Sequence, residues 1–371
     1  MGLLIATASL FLLNEALPVS YSRSSLDDLS FLASRLKGKS VVQIGEATHG
    51  GAEFYLLKTK LVRYMHEKLG VNVLALECGM LETGLVMSQR KDLTPSALMK
   101  ACLFVNYRWR EMVPLFEYLK NRPQLKVIGI DPQFSSDDVL TLTRNLLKPY
   151  DETLAEDAEK HLGDGYAFMG RTGETTEFRR LRDGYLKWLT QFGEKVRGIR
   201  PKPEDVERFD LLIRSINGLK KYWNYEPSVP MMERLAVRDN LMAESLLGQT
   251  GKDKVILWAH NGHIGKGLGY PILGDHLRKA LGDKTYALGL FAQKGDYYQH
   301  CTKTSQSWGA LADGLESRFP TSGEGWFRDA KDFANQVKAY EPENGGIITF
   351  IPADRFDGLI VLTKLSVPKP P

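Results

Sequence analysis

The sequence predicts an α/β fold: a central, mainly parallel sheet flanked by helices, with a large helical insertion. Three observations carry this. Short runs bounded by turn residues are apolar nearly throughout instead of alternating, the mark of strands covered on both faces. Amphipathic helical patterns separate them, as crossovers between parallel strands require. One long stretch, residues 134–250, is rich in charge and helix formers and holds no strand-like run. The size agrees: 371 residues, 43% apolar and 25% charged, make a globular chain with a large core and exclude disordered, collagen-like and disulfide-scaffold classes.

The expected strands in chain order are 40–45 (SVVQIG), 72–77 (NVLALE), 126–131 (KVIGID), 254–260 (KVILWAH) and 285–291 (TYALGLF). After the first, residues 53–69 place Phe54, Leu57, Leu61, Tyr64 and Met65 at helical spacing. Helical segments are expected at 139–148, 153–161, 176–197, 203–223 and 231–248, the fourth with Pro203 in its first turn. The tail returns to strands at 346–351 and 359–363. The organisation is therefore a core in two parts, 14–133 and 251–366, with residues 134–250 inserted as a lid or specificity region.

Net charge +4, from 49 basic and 45 acidic residues, leaves no nucleic-acid footprint. Cys78, Cys102 and Cys301 form no CxxC pair, which fits a reducing, cytoplasmic setting. Residues 2–13 (GLLIATASLFLL) are apolar like a leader but lack a basic flank and a clear cleavage site. They are read as an apolar first helix, with a secretory leader as the alternative. No other stretch approaches a membrane span, and no protein partner is implied.

In an open α/β sheet, ligands bind beyond the carboxyl ends of the strands. There the chain is rich in reactive groups: Glu46 and His49 in GEATHG, Glu77, Asp131, and His260 with His263 in HNGH. No GxSxG elbow, Walker A loop, GxGxxG turn or HExxH pair is present, and the glycines of 265–269 lack fingerprint spacing. Direct attack by water, activated by histidine, is then the expected route to breaking an ester or amide. Cys78, pointing to the other face from Glu77, is read as a core thiol. A metal-dependent hydrolase or peptidase built on the same Glu/His cluster is the second reading. A haem- or ligand-binding protein is the third.

These blocks resemble the erythromycin esterase family, which includes succinoglycan-biosynthesis related proteins. The resemblance rests on GEATHGGAEFYLLKTKLV from Gly45, ALECG from Ala75, NYRWREM from Asn106, GID from Gly129, ERLAVRDNLMAES from Glu233, ILWAHNGHIGKG from Ile256, YALGLF from Tyr286 and FDGLIVL from Phe356. It implies opening of a macrolide lactone or related carboxylic ester by water, with no covalent intermediate; no cofactor or metal is expected, because a histidine base with carboxylate support activates water unaided. It matches His49 to the general base, Glu46 and Glu77 to active-site carboxylates, and His260 and His263 to histidines across the cleft. Either carboxylate would hold His49; either histidine, helped by Lys58, would stabilise the oxyanion or protonate the leaving alkoxide. Lys58 stands where macrolide-hydrolysing members carry Arg, and an ammonium does not reproduce a guanidinium fork. Arg238 and Asp239 are expected near the cleft as positioning groups, Asp131 and Lys58 as substrate contacts. Tyr107, Trp109, Tyr222, Trp223 and Tyr225 are candidates for lining an apolar pocket.

Overall fold

The computed structural model describes residues 16–169, 176–224, 231–267, 269–344 and 346–371. The apolar stretch 2–13, Tyr225 and Leu268 of the glycine cluster lie outside the described residues. The chain forms β1 (Leu17–Val19), β2 (Val41–Ile44), α1 (Ala52–Leu69), β3 (Val73–Gly79), α2 (Met80–Met87), α3 (Pro95–Cys102), α4 (Val113–Lys120) and β4 (Lys126–Asp131). Five helices follow: α5 (Asp138–Leu147), α6 (Glu152–Met169), α7 (Thr176–Gly198), α8 (Val206–Trp223) and α9 (Met231–Thr250). The last third holds β5 (Val255–Trp258), α10 (Leu273–Leu281), β6 (Thr285–Ala292), β7 (Gly295–Gln299), β8 (Thr304–Trp308), β9 (Gly325–Asp329), β10 (Val337–Glu341), β11 (Gly346–Phe350) and β12 (Gly358–Leu362).

The main sheet has eight strands in the order β1-β9-β12-β6-β2-β5-β3-β4. From β12 to β4 all neighbours are parallel, whereas β9 and β1 close the other edge antiparallel. Every residue of β2, β3, β5, β6 and β12 is buried, which is why these strands read as continuous apolar runs. The strand expected at 254–260 stops at Trp258, so that Ala259 and His260 turn out over the sheet edge. The strand expected at 346–351 exists as β11 but pairs with β10 in a separate ribbon. A second ribbon joins β7 to β8.

The helical insertion is present, with its own core of Phe134, Val139, Leu162, Trp188, Phe192, Leu212 and Ile216 closing on Leu81 and Leu85 of α2. Met242, Ala243 and Leu246 of α9 belong instead to the core of the main sheet. The helix thus brings its first half, with Arg238 and Asp239, over the carboxyl ends of β3 and β4. No helix among the described residues is long and apolar enough to cross a membrane.

Candidate active site

The strands β2, β5 and β3 are neighbours, so their carboxyl ends place Glu46, His260 and Glu77 side by side. Two motif blocks lock there. The Asn261 amide donates to the Glu46 carbonyl at 2.9 Å, and the Asn261 side chain bonds the Leu290 carbonyl of β6 at 3.0 Å. A Cβ on Gly45 would lie 2.1 Å from the Asn261 side chain, and one on Gly50 would lie 2.1 Å from the Tyr298 carbonyl. Both glycines of GEATHG are therefore required by close approach, which fixes the loop that carries His49.

Glu46 is fully buried, and its carboxylate accepts from His49 Nδ1 at 3.2 Å and from the Lys58 ammonium. With its Nδ1 proton donated to Glu46, His49 keeps Nε2 as its free basic nitrogen. Burial, with His260 next, pulls the His49 imidazole down to about 3, so the ring is neutral at pH 7. Tyr107 packs on it at 4.4 Å between ring centroids, and His260 lies at 4.8 Å.

His260 presents the complementary group. Its Nδ1 accepts the Gly262 amide at 2.9 Å, which puts the ring proton on Nε2. That nitrogen is buried, and the Ala47 backbone beside the ring raises its basicity a little. Burial holds His260 down at about 3, so it too is neutral.

His263 is the opposite case. Burial pulls its pKa down, but Glu77 and Asp239 outweigh this and hold the imidazolium up at about 10. Its Nδ1 lies 2.7 Å from Asp239 Oδ1 and its Nε2 3.2 Å from Glu77 Oε1. As a doubly protonated ring it donates to both carboxylates, so the Arg238 Nη1 at 3.3 Å from Nε2 is an approach of two cations and not a hydrogen bond. Glu77 also accepts Tyr107 OH at 3.0 Å, the His260 amide at 2.9 Å and Arg238 Nη2 at 3.2 Å. Burial alone would raise the Glu77 carboxyl; His263 and Arg238 keep it well below its ordinary value.

A cavity of about 350 Å³ opens over these groups, lined by His49, Glu77, Arg238, Asp239, His260 and His263 among the expected residues. Phe104, Leu235 and Tyr270 add apolar wall, and Glu343 a carboxylate. The remaining expected residues sit elsewhere. Lys58 is 0% exposed, its ammonium on Glu46, on the Ala259 carbonyl at 3.1 Å and over the Trp258 ring at 4.3 Å. It lies on the buried face of α1 and is absent from the cavity lining; desolvation, against the opposing pull of Glu77, pulls its pKa well down. Asp131, also 0% exposed, anchors Arg238 Nε at 2.9 Å and is absent from the cavity lining. Trp109 is turned to Tyr298 and His300, its indole N–H on the Asn106 carbonyl at 2.8 Å, so it is no part of the lining. Tyr222 bonds Gln133, and Trp223 lies in the insertion core.

Cys78 is buried against Thr83 Oγ1 at 3.1 Å, and burial pushes its thiol well up, as a packing residue requires. No group of three or more His, Cys, Asp and Glu side chains among the described residues is disposed to hold a metal ion. Glu343 went unnoticed in the sequence. It stands in a short turn at Pro342–Asn344, and only its acidic character marks it.

A family model described as erythromycin esterase matches residues 66–365. YbfO of Bacillus subtilis (strain 168), provisionally named a hydrolase, is 28% identical over 317 residues, 76% of this chain and 71% of its own. Erythromycin esterase type II of Escherichia coli is 22% identical over 345 residues, covering 82% of this chain and 81% of its own. A crystal structure of a succinoglycan biosynthesis protein shares the fold with a TM-score of 0.78 at 16% identity, covering 99% of this chain and 98% of that one.

Proposed function

The chain belongs to the erythromycin esterase family, and from that premise we propose that it is a hydrolase that opens a carboxylic ester or macrolactone by histidine-activated water. The supporting observation is one juxtaposition: with ring centroids 4.8 Å apart, His49 offers a lone pair steadied by Glu46, and His260 offers an Nε2–H.

In this reading His49 Nε2 takes a proton from water as the water oxygen bonds to the substrate carbonyl carbon. Glu46 stabilises the imidazolium so formed, and Lys58 holds Glu46 in place. The oxyanion is met by His260 Nε2–H, a donor aimed in advance at developing charge, a contact worth about 10²–10³ in rate where it has been removed elsewhere. Collapse breaks the carbonyl carbon–alkoxy oxygen bond, and the alkoxide recovers the proton from His49. No covalent intermediate forms. Arg238 and His263 hold Glu77, whose second oxygen orients the His260 backbone.

A panel of esters and lactones, led by a 14-membered macrolide, tests this in water enriched in ¹⁸O. The expected product has gained one labelled oxygen in its carboxylate. A panel without any such product, alongside cleavage of peptides, would refute the reading.

A further inference from the structure

We propose that Glu343 is a positioning residue for His49, brought to the base-bearing loop by the turn between β10 and β11. The inference rests on the reading of His49 given above. The loop 45–51 leaves β2 without a ladder of its own, so its amides need other acceptors. Glu343 Oε1 supplies one: it accepts Thr48 Oγ1–H at 3.1 Å and the His49 backbone N–H at 3.3 Å. Thr48 Oγ1 in turn accepts the Gly50 amide at 3.1 Å, so one carboxylate ties three consecutive residues. On the other flank the Tyr298 amide of β7 donates to the Gly50 carbonyl at 3.0 Å. The base is therefore set by both ribbons of the last third of the chain, outside the main sheet.

Glu343 differs from the other acids of the cavity in charge balance. Glu46 is matched by Lys58, and Glu77 by Arg238 and His263. No ion pair to Glu343 occurs among the described residues, so its charge acts on the neighbouring imidazole. The groups facing His49 are Glu46, Tyr55, Tyr107, His260, His263, Glu77 and Glu343. Beyond burial, the two histidines lower the basicity of His49, while Glu77 and Glu343 raise it.

Two conservative variants separate the contacts from the charge. Glu343→Asp keeps the charge but is one methylene too short for both donors. Glu343→Gln keeps an acceptor oxygen but is neutral. Hydrogen exchange of the peptide spanning 45–51, read by mass spectrometry on the full chain, needs no substrate. It is expected to rise about tenfold in Glu343→Asp, the loss of one charge-assisted hydrogen bond, and to stay near wild type in Glu343→Gln. On a hydrolysed ester, Glu343→Asp is expected to lower kcat by about 10–100-fold with KM little changed. Glu343→Gln, which keeps an acceptor oxygen, is expected to retain most of the kcat that Glu343→Asp loses. Unchanged exchange in Glu343→Asp, or a loss of kcat in Glu343→Gln as large as in Glu343→Asp, overturns the positioning role. A protein inactive on every ester but showing the exchange pattern would refute the esterase reading and leave the positioning of His49 standing.

Discussion

Replacing Arg238 by Leu removes the cation that joins α9 to the ends of β3 and β4. Asp131, 0% exposed, then keeps only the Gln133 amide at 2.9 Å and loses both guanidinium contacts. Glu77 is less affected, since Tyr107, the His260 amide and His263 remain. Two unit charges ~4 Å apart attract by about 4 kcal/mol at an effective dielectric of 20. Truncating one partner of a buried pair costs about 3–5 kcal/mol, most of it the stranded charge. The Arg238 side chain is 14% exposed, so water reaches the gap and the lower end, about 3 kcal/mol, is expected. Adding Asp131→Asn discharges the stranded group, and the double variant should recover about 2 kcal/mol of that loss. Urea unfolding of wild type, both single variants and the double variant at pH 7 measures the cycle. A single-variant loss below about 1 kcal/mol, or a coupling under about 0.5 kcal/mol, would refute the argument that this ion pair fixes α9 on the sheet.

Further expectations concern the histidines and metal. His49→Asn should lower kcat by about 10²–10⁴-fold while circular dichroism and substrate binding stay close to wild type; near-normal turnover in a folded variant removes the proposed base. His263 titrates at about 10 in the folded protein against ~6.5 unfolded, so its stabilisation is complete below pH ~6.5 and is lost as pH rises through 10. Unfolding measured across that range should show a decline that flattens in His263→Gln, and an equal decline in the variant contradicts the assignment. Hydrolysis should survive exhaustive chelation and dialysis. Activity lost on chelation and restored by one defined divalent ion would point to the metal-dependent reading.

The strands that position the site were legible because all their residues are buried, and burial on both faces leaves a plain apolar run. The strands that shape its outer wall were not. β7 (GDYYQ) and β8 (TSQSW) are polar and partly exposed, and β10 alternates, so none carries such a run. β1 is a three-residue edge strand that gains meaning only from β9 beside it. The burial of Lys58 is legible in the sequence: it falls four residues after Phe54 and three before Leu61, on the stripe that α1 buries. That placement alone argues for a buried partner and against a substrate contact.

The sequence by itself determined the parallel sheet, the helical insertion and the delivery of Glu46, Glu77, His260 and His263 to one edge. These follow from periodicity and from the turns that end each run, which are local properties. The protonation pattern was decided only by tertiary structure. Two histidines three residues apart end up neutral and cationic because burial prevails at one and two carboxylates outweigh it at the other. The same holds for Glu343, 294 residues from His49 along the chain and hydrogen-bonded to its amide. A pKa depends on the charges and solvent within a few ångströms, and those neighbours are set by how distant segments pack.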